Sequence, residues 1–517
     1  MSIEEKFKNI ITNGYHFSGS NIVLGAAVLD KKPLENTQVK LPLSTVNRHG
    51  LIAGATGTGK TKTLQYFAES LSENGVGVLM MDVKGDVSGL AKAGSENPKI
   101  TERHRLIGKE WKPQNFPVEL LTISDEKGAR MRATVSEFGP VLFSKMLELN
   151  DNQAGVVSLI FKYCDDKQLP LLDIKDFRKV LQHLTTDGKD EIKDYGLIST
   201  ASAGVIMRKL VELEEQGAEK FFGEVSFEVE DLIRKTPDGK GYINIIRLCD
   251  IQSKPKLFST FMLCLLAEVY EKFPESGDKG LPKLVIFIDE AHLIFREASK
   301  ALLEQIETII KLIRSKGVGI YFCTQSPDDI PEEILGQLGL KIQHALRAFT
   351  AKDRKAINLV AQNYPLTEFY KVDTLLTELG IGEALVTVLG ENGAPTPLAH
   401  TLMCAPSSRM DILTTAEQDE LIQRSEIAAI YNQTVDRVSA YEMLSNKIQQ
   451  QTEPEIIEQP KQVQQPVQRT SAKQEKSMIE QISSNPLAKT LFREVTRGLL
   501  GVLIGKPQRR SSRNSFF

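Results

Sequence analysis

The sequence predicts an α/β protein whose central sheet is mainly parallel and covered by helices. Short apolar runs recur between about residues 41 and 402, and helical patterns separate several of them. The runs are apolar without alternation, which is typical of strands buried on both faces. The chain has 517 residues, of which 41% are hydrophobic and 25% charged. At roughly 100–200 residues per domain, this length predicts two to four domains with a large core.

Eight apolar runs are the predicted strands: 49–55, 75–83, 118–123, 242–248, 284–290, 319–325, 342–349 and 383–389. A helical pattern follows the first run at 61–75, and others lie at 257–273 and 301–317. This alternation of strand and helix is typical of parallel sheets, whose strands need long crossover connections.

The strand pattern fades between 124 and 241, where amphipathic segments such as 143–164 and 200–217 predict a helical insertion. The predicted organisation is as follows: an N-terminal extension (1–40), an α/β core (41–123 and 242–410), the insertion (124–241) and a helical arm (411–448).

The composition changes again near residue 449. Residues 449–477 contain nine Gln, three Pro and no aromatic residue, so we expect a disordered linker. The tail 478–517 holds an amphipathic stretch, 486–505, and ends in a segment with four basic residues and no acidic one. Such a stretch could contact the protein's own oligomer, a partner or a membrane surface.

Charge and cysteine usage narrow the class of protein. The 64 Lys and Arg residues nearly balance 67 Asp and Glu, which argues against a protein covered in positive charge but permits a local basic channel. The five scattered cysteines fit a reducing compartment. The N-terminus lacks the apolar core of a signal peptide, and no apolar run reaches the ~20 residues that span a bilayer. We therefore expect a cytoplasmic protein.

The strongest motif is GATGTGKT, Gly54 to Thr61, which matches the phosphate-binding pattern GxxxxGK[ST]. It follows a predicted strand and opens a predicted helix, a context that favours a phosphate site over a chance glycine-rich turn. Lys60 is expected to reach the β- and γ-phosphates, and the Thr61 hydroxyl to bind Mg²⁺. The predicted phosphate-binding residues are Gly54, Ala55, Thr56, Gly57, Thr58, Gly59, Lys60, Thr61 and Lys62.

The run LVIFIDE (284–290) supplies a second half for such a site. Asp289 would hold Mg²⁺, directly or through water, and Glu290 would polarise the attacking water. An Asp-Glu pair after a strand is, by itself, more often a helix cap. The phosphate-binding motif earlier in the chain favours the catalytic interpretation.

Two further residues are candidate catalytic groups. Gln325 follows the strand at 319–325 and could sense the γ-phosphate and the attacking water, or be a simple turn residue. Arg347 interrupts the apolar run 342–349, where a charge is costly unless paired. It, or one of the nearby Lys352, Arg354 and Lys355, could reach a neighbouring subunit's nucleotide; pairing within its own subunit is the alternative.

Three charged residues, Asp82, Lys84 and Asp86, follow the second predicted strand. Because strand ends at one edge of a parallel sheet gather at the ligand crevice, Asp82 could lie near the nucleotide. A structural role in the loop is the alternative.

These blocks occur in an order that resembles the HerA/FtsK superfamily of P-loop ATPases: GLIAGATGTGKTKT, MDVKGDVSGLA, VIFIDEAHLIF, RSKGVGIYFCTQSPDDIP and LGLKIQHALRAFTAKDRKAI. The resemblance is closest to the bacterial HerA-like helicase C-terminal (YjgR-type) proteins, long of unknown function. It covers about residues 20–410.

The resemblance implies a RecA-like (ASCE) core that forms hexameric rings and hydrolyses ATP with Mg²⁺ to translocate double-stranded DNA. It carries over to this chain the phosphate-loop residues, the acidic pair, the sensor glutamine and an arginine-finger candidate: Lys60, Thr61, Asp289, Glu290, Gln325 and Arg347. Only about 50 residues precede the phosphate loop, too few for the N-terminal β-barrel of HerA.

The resulting hypothesis is a homo-oligomeric, Mg²⁺-dependent ATPase that translocates DNA. Two alternatives remain open: an ATP-controlled switch or scaffold, and a motor that acts on protein or at a membrane. Stimulation of hydrolysis by DNA would distinguish the first hypothesis from both. The preference for ATP over GTP stays open as well, because phosphate loops read phosphates and barely read the base.

Overall fold

The computed structural model describes residues 2–276, 280–296, 300–435 and 437–452. The predicted tail, 478–517, and most of the predicted linker, 449–477, lie outside these residues. The last described helix continues to Thr452 and so enters the segment predicted as linker.

The described chain forms two compact units. The sheet unit comprises residues up to 132, 215–221 and 225–434, and the helical unit comprises 133–214, 222–224 and the described residues from 435 onward. The segment predicted as a helical insertion, 124–241, is thus divided between the two units, as is the predicted helical arm, 411–448.

The strands of the sheet unit are β1 Asn21–Leu29, β2 Lys32–Pro42, β3 Gly50–Ala53, β4 Gly77–Asp82, β5 Val118–Thr122, β6 Ala129–Arg130, β7 Ile243–Arg247, β8 Leu284–Ile288, β9 Val318–Thr324, β10 Leu340–Gln343, β11 Glu383–Thr387 and β12 Ala399–Met403. Within the described residues they form one sheet in the order β2-β1-β12-β11-β10-β3-β9-β8-β4-β7-β5-β6. From β10 to β6 every pairing is parallel. The predicted mainly parallel sheet is confirmed.

Each of the eight predicted strands overlaps an observed strand, but four further strands were missed: β1, β2, β6 and β12. β1 and β2, in the predicted extension, form a hairpin, and β12 joins that hairpin to β11 by antiparallel pairing. β2 is exposed along half its length and therefore lacks the continuous apolar run of a buried strand. The N-terminal residues thus complete the sheet.

The α-helices are α1 Ile3–Gly14, α2 Lys60–Glu73, α3 Pro98–Ile107, α4 Val135–Met146, α5 Asp151–Lys167, α6 Ile174–Thr185, α7 Thr200–Glu215, α8 Pro255–Lys272, α9 His292–Arg296, α10 Lys300–Ile313, α11 Glu332–Leu335, α12 Ala351–Gln362, α13 Val372–Glu378, α14 Thr415–Gln423, α15 Glu426–Tyr431 and α16 Ala440–Thr452. Among the helices described, none combines the length and apolar character needed to cross a bilayer.

Helix α2 is fixed to the sheet by aromatic packing. The ring of Phe67 meets Phe287 of β8 edge-on at 5.4 Å and Tyr321 of β9 at 5.1 Å. All three side chains are fully buried, and such edge-to-face pairs add to the burial of their apolar area. The start of α2 is therefore held in a fixed position relative to the ends of β8 and β9.

The helical unit has its own aromatic core. Phe143 of α4 packs against Phe161 of α5 and Phe177 of α6, with ring centroids 5.9 and 4.8 Å apart. The helices α4, α5 and α6 each begin with a capping box, in which the cap and the third helical residue satisfy each other's backbone N–H groups. Local capping and aromatic burial together explain why this segment folds as helices.

The outer face of α2 contacts the segment 407–411. Gln65 donates to the Ser408 hydroxyl at 2.7 Å, and the Glu69 carboxylate accepts from the backbone N–H groups of Ser407 and Ser408 at 2.7 and 3.0 Å. Glu69 is 2% exposed, and this burial raises its pKa to about 7. A buried acid therefore joins the helix to the chain that follows β12.

Glu69→Gln tests this contact through the pH dependence of stability. Because the folded pKa of Glu69 is about 7 and its ordinary value 4.5, its contribution to the free energy of unfolding is complete below pH 4.5 and is lost as the pH rises through 7. The free energy of unfolding is measured by urea denaturation between pH 5 and pH 8. We expect it to fall over this range by about 1–3 kcal/mol more in the wild type than in Glu69→Gln. Glu332→Gln, at an exposed acid on α11 that does not act on Glu69, should behave as wild type. If the free energy of unfolding changes with pH equally in the wild type and in Glu69→Gln, the raised pKa of Glu69 is contradicted.

Candidate nucleotide-binding site

Four neighbouring parallel strands, in the order β3-β9-β8-β4, end at the same edge of the sheet. The register pairs Ala53 of β3 with Thr324 of β9, and Ile288 of β8 with Phe322 and Met81. The segments that follow these strands therefore lie side by side. They include the predicted phosphate loop, the glutamine, the acidic pair and the charged residues after β4.

The predicted phosphate loop connects β3 to α2, which begins at Lys60. Gly54 has a φ of 153°, and a Cβ there would lie 2.5 Å from the Cβ of His344, so a side chain does not fit. Ala55 N–H donates to the Ala345 carbonyl at 2.8 Å, which anchors the loop to the segment after β10. The helix N-terminus adjoining the loop favours anions such as phosphate.

The turn at Gly382, which the sequence did not predict to be part of the site, supports the phosphate loop. Gly382 N–H donates to the Thr58 carbonyl at 2.9 Å, and a Cβ on Gly59 would lie 3.1 Å from the Gly382 nitrogen. The guanidinium of Arg103, on α3, holds this turn by donating to the carbonyls of Gly382 and Met403, both at 3.0 Å. These contacts join parts of the chain that are far apart in sequence, so only the fold reveals them.

Lys60 lies inside the loop. Its side chain is 9% exposed, and its ammonium group donates to the carbonyls of Gly54 and Ala55. Burial lowers the pKa of Lys60 and the positive charge of Lys84 lowers it further, whereas Glu290 and Asp289 oppose the shift. The amine is thus at the loop, and it is within electrostatic range of the acidic pair.

Thr61 and Asp289 were the predicted magnesium ligands, and the structure adds Asp86. The Thr61 hydroxyl donates to Asp86 Oδ2 at 3.2 Å, whereas Oδ1 of Asp86 is buried without a hydrogen bond from a described residue. All three side chains line one small cleft. Burial raises the pKa of Asp289 to about 7, with the charges of Glu290 and Asp86 contributing, although Lys84 opposes the shift. A hydroxyl and two carboxylates with an unsatisfied oxygen are a donor set that suits Mg²⁺.

Asp82 organises the loop after β4. Its carboxylate accepts from the backbone N–H groups of Gly85 at 2.7 Å, Asp86 at 3.2 Å and Val87 at 3.4 Å. Burial and the nearby charge of Asp86 raise the pKa of Asp82 to about 6. Asp82 therefore shapes the loop that carries Lys84 and Asp86, the structural alternative left open by the sequence.

Glu290 forms an ion pair with Lys84 that the sequence did not predict. Its carboxylate Oε1 contacts the Lys84 ammonium, and its Oε2 lies 3.2 Å from Nδ1 of His292. Glu290 is 6% exposed and has a φ of 48°, a left-handed conformation that is uncommon for residues other than glycine. In Lys84, burial lowers the pKa, but the hydrogen bond to Glu290 and the charge of Asp289 outweigh it and raise the pKa overall.

Gln325 and Arg347 lie beside the phosphate loop. They line a cavity of about 560 Å³ together with residues of the loop and of α12, among them Ala55, Thr56 and Ile357. Gln325 is exposed at the end of β9. Both side chains therefore share a cavity with the phosphate loop.

The expectation that Arg347 interrupts a strand was wrong. β10 ends at Gln343, because residues 344–345 turn away to support the phosphate loop, and Arg347 is exposed in the connection to α12. It forms no ion pair with another described residue. The charge of an exposed arginine stays in contact with water, so the argument that it must be paired does not apply.

Lys62, included among the predicted phosphate-binding residues, is directed elsewhere. Its ammonium donates to the Met410 carbonyl and lies 3.3 Å from Oε1 of Gln65. Thr58 likewise uses its hydroxyl inside the loop, donating to the Ala55 carbonyl at 2.7 Å. Of the side chains in the motif, those of Lys60 and Thr61 therefore face the acidic residues.

The arrangement can bind a phosphorylated ligand and a divalent cation side by side. The loop and Lys60 offer positive charge, and Thr61, Asp86 and Asp289 offer hard oxygen donors. Glu290 provides a buried carboxylate next to both. This combination suits phosphoryl transfer to water.

Comparison with known proteins agrees with this geometry. The chain is 24% identical over 358 residues to the DNA double-strand break repair helicase HerA of Saccharolobus solfataricus, covering 68% of this chain and 64% of that protein. It is 26% identical over 354 residues to the DNA import protein CedB of Sulfolobus acidocaldarius, covering 67% of this chain and 51% of that one. The chain thus spans less than two thirds of the length of these relatives.

Among solved structures, a trigonal form of the bacterial conjugative coupling protein TrwBdeltaN70 superposes with a TM-score of 0.51 at 14% identity. The alignment covers 79% of this chain and 95% of that one, and it supports the fold. The family model described as Helicase HerA-like C-terminal matches residues 28–510. The chain therefore belongs to the HerA-like helicase C-terminal family of P-loop ATPases.

Proposed function

We propose that this protein is a Mg²⁺-dependent ATPase that works as a homo-oligomeric ring, a hexamer, and uses hydrolysis to move double-stranded DNA. The observation that carries the proposal is the convergence of three neighbouring strand ends. They bring Lys60 and Thr61 after β3, Gln325 after β9, and Asp289 with Glu290 after β8 to one edge of the sheet.

In the proposed reaction, Glu290 accepts a proton from the water that attacks the γ-phosphate of ATP. Lys60 and the backbone N–H groups of the loop bind the phosphate oxygens and stabilise the charge that develops on them. Thr61, Asp86 and Asp289 would hold Mg²⁺, which supplies further positive charge to the phosphates. Gln325 would contact the γ-phosphate and orient the water.

DNA is the proposed polymer because the relatives that the chain resembles include a DNA repair helicase and a DNA import protein. Arg347 is exposed and lines the same cavity as the phosphate loop of its own chain. In the proposed ring, this exposed arginine of one copy would act on the nucleotide of the next copy.

The function is tested by the ATPase rate of the purified protein with and without linear duplex DNA, at low and moderate salt. We expect DNA to raise the rate, and salt to weaken this effect because phosphate contacts release counterions. A rate that ignores DNA at both salt concentrations would contradict translocation. It would favour the nucleotide-controlled switch or a motor that acts on protein.

Glu290→Gln removes the proposed base while keeping the size of the side chain. We expect the variant to bind ATP at least as tightly as wild type but to hydrolyse it at least ~100-fold more slowly, with or without DNA. Binding is measured by calorimetry and turnover by phosphate release. Glu332→Gln, on an exposed helix away from the site, is the control. Normal turnover in Glu290→Gln would remove this residue from the catalytic role.

The two lysines of the motif make a matched pair of variants. Lys60→Ala should weaken ATP binding by about tenfold or more, because it removes the charge inside the loop. Lys62→Ala should keep most of the affinity, because its ammonium is bonded to the Met410 carbonyl. Both dissociation constants are measured with a fluorescent ATP analogue. Equal losses in the two variants would contradict the placement of Lys62.

Arg347→Ala tests whether one copy acts on the nucleotide of the next. We expect the variant to lose about 1,000-fold in turnover, the magnitude typical of an arginine finger, while it still binds ATP. Mixing it with Lys60→Ala should recover part of the activity, because a ring then contains intact loops beside intact arginines. Lys371→Ala, at an exposed lysine that does not line the cavity, is the control. If mixing recovers nothing while the mixed oligomers form, the finger assignment is wrong.

A further inference from the structure

The ion pair between Lys84 and Glu290 places a cation on the residue proposed to be the base. Glu290 is 8% exposed at its side chain, and Lys84, at 36%, reaches it from the loop after β4. Asp82 fixes that loop through three backbone N–H groups, so the position of Lys84 is built into the fold. β4 and β8 are adjacent, and the contact therefore spans neighbouring strand ends.

The pair conflicts with the role of Glu290 as a base. A carboxylate oxygen that accepts a hydrogen bond from an ammonium group is not free to take a proton from water. The second oxygen, Oε2, is buried and accepts no hydrogen bond from a described residue, although His292 lies 3.2 Å away. Lys84 occupies Oε1 and Oε2 is buried out of contact with solvent, so the carboxylate becomes available to the attacking water when Lys84 leaves Oε1.

Lys84 is also within electrostatic range of the phosphate loop and of the predicted magnesium ligands. Its positive charge lowers the pKa of Lys60, and it interacts with the charges of Asp86 and Asp289. The terminal phosphate of a nucleoside triphosphate carries more negative charge than one carboxylate. Held by Lys60, it would compete with Glu290 for the Lys84 ammonium.

We propose that Lys84 is a positioning residue that moves its ammonium from Glu290 to the terminal phosphate of a bound nucleoside triphosphate, and so releases the base only when that phosphate is present. A diphosphate lacks this group and leaves the pair closed. The inference rests on the proposed ATPase function and adds to it a means of distinguishing triphosphate from diphosphate.

The test is a double-mutant cycle on binding, with Lys84→Met, Glu290→Gln, the double variant and wild type. Dissociation constants are measured by calorimetry for ADP and for the non-hydrolysable imido analogue of ATP, both with Mg²⁺. Glu290→Gln should tighten binding of the ATP analogue by about tenfold, because the competing partner is removed, and should leave ADP unchanged. The gain should vanish in the double variant.

Lys84→Met alone should weaken the ATP analogue relative to ADP by about tenfold, and Lys84→Arg should restore most of that difference. Lys371→Met, at an exposed lysine that lines neither the cleft nor the cavity, is the control for the loss of one positive charge. Circular dichroism and thermal melting of each variant establish that it is folded. The kcat of ATP hydrolysis is measured for the same variants, and we expect it to fall more in Lys84→Met than in Lys84→Arg.

If the dissociation constants for ADP and for the ATP analogue change equally in every variant, the proposal is overturned. Lys84 would then attract both nucleotides by its positive charge alone, without distinguishing them. A gain from Glu290→Gln that persists in the double variant would overturn it as well. The failure of wild type to bind either nucleotide would be a different result. It would reject the proposed ATPase function itself.

Discussion

The parallel pairing of β3, β9, β8 and β4 is the constraint on which the rest of the site depends. These strands are buried on both faces along their whole length, so charged side chains have no place within them. Charges can appear only where the strands end, and parallel pairing puts all four carboxyl ends at one edge. The strand order then decides which charges meet.

The loops at this edge are shaped mainly by hydrogen bonds of the backbone. The phosphate loop is held on one side by the residues after β10 and on another by the turn before β11. The loop after β4 is folded around the carboxylate of Asp82. The loop after β4 is therefore shaped locally, whereas the phosphate loop depends on segments that come later in the chain. The site is completed only when β10 and β11 have joined the sheet.

The sequence predicted those features that depend on local pattern. The phosphate loop and the strand before Asp289 were recognisable because a motif or an apolar run marks them. β2 was missed because its first five residues are exposed or half-buried, so it lacks such a run. β1 is an apolar run, buried over most of its length, and was recognisable by the same pattern although it was not identified. The pairing of Lys84 with Glu290 could not be predicted, because it requires β4 to lie beside β8. Arg347 was misjudged for a related reason: the chain leaves the strand at Gln343 to support the phosphate loop, which the apolar composition of 344–346 conceals.

The charges gathered here are costly for the fold. Lys60 and Glu290 are 9% and 6% exposed, and burial raises the pKa of Asp289 to about 7, so its ionised form is less favoured than that of an exposed aspartate. Removing such groups from water is rarely repaid in full by their mutual attraction, and apolar residues would fill the same space at lower cost. Stability therefore does not explain this cluster. A ligand that brings its own charges does, because phosphate oxygens complement the ammonium groups and a divalent cation complements the carboxylates.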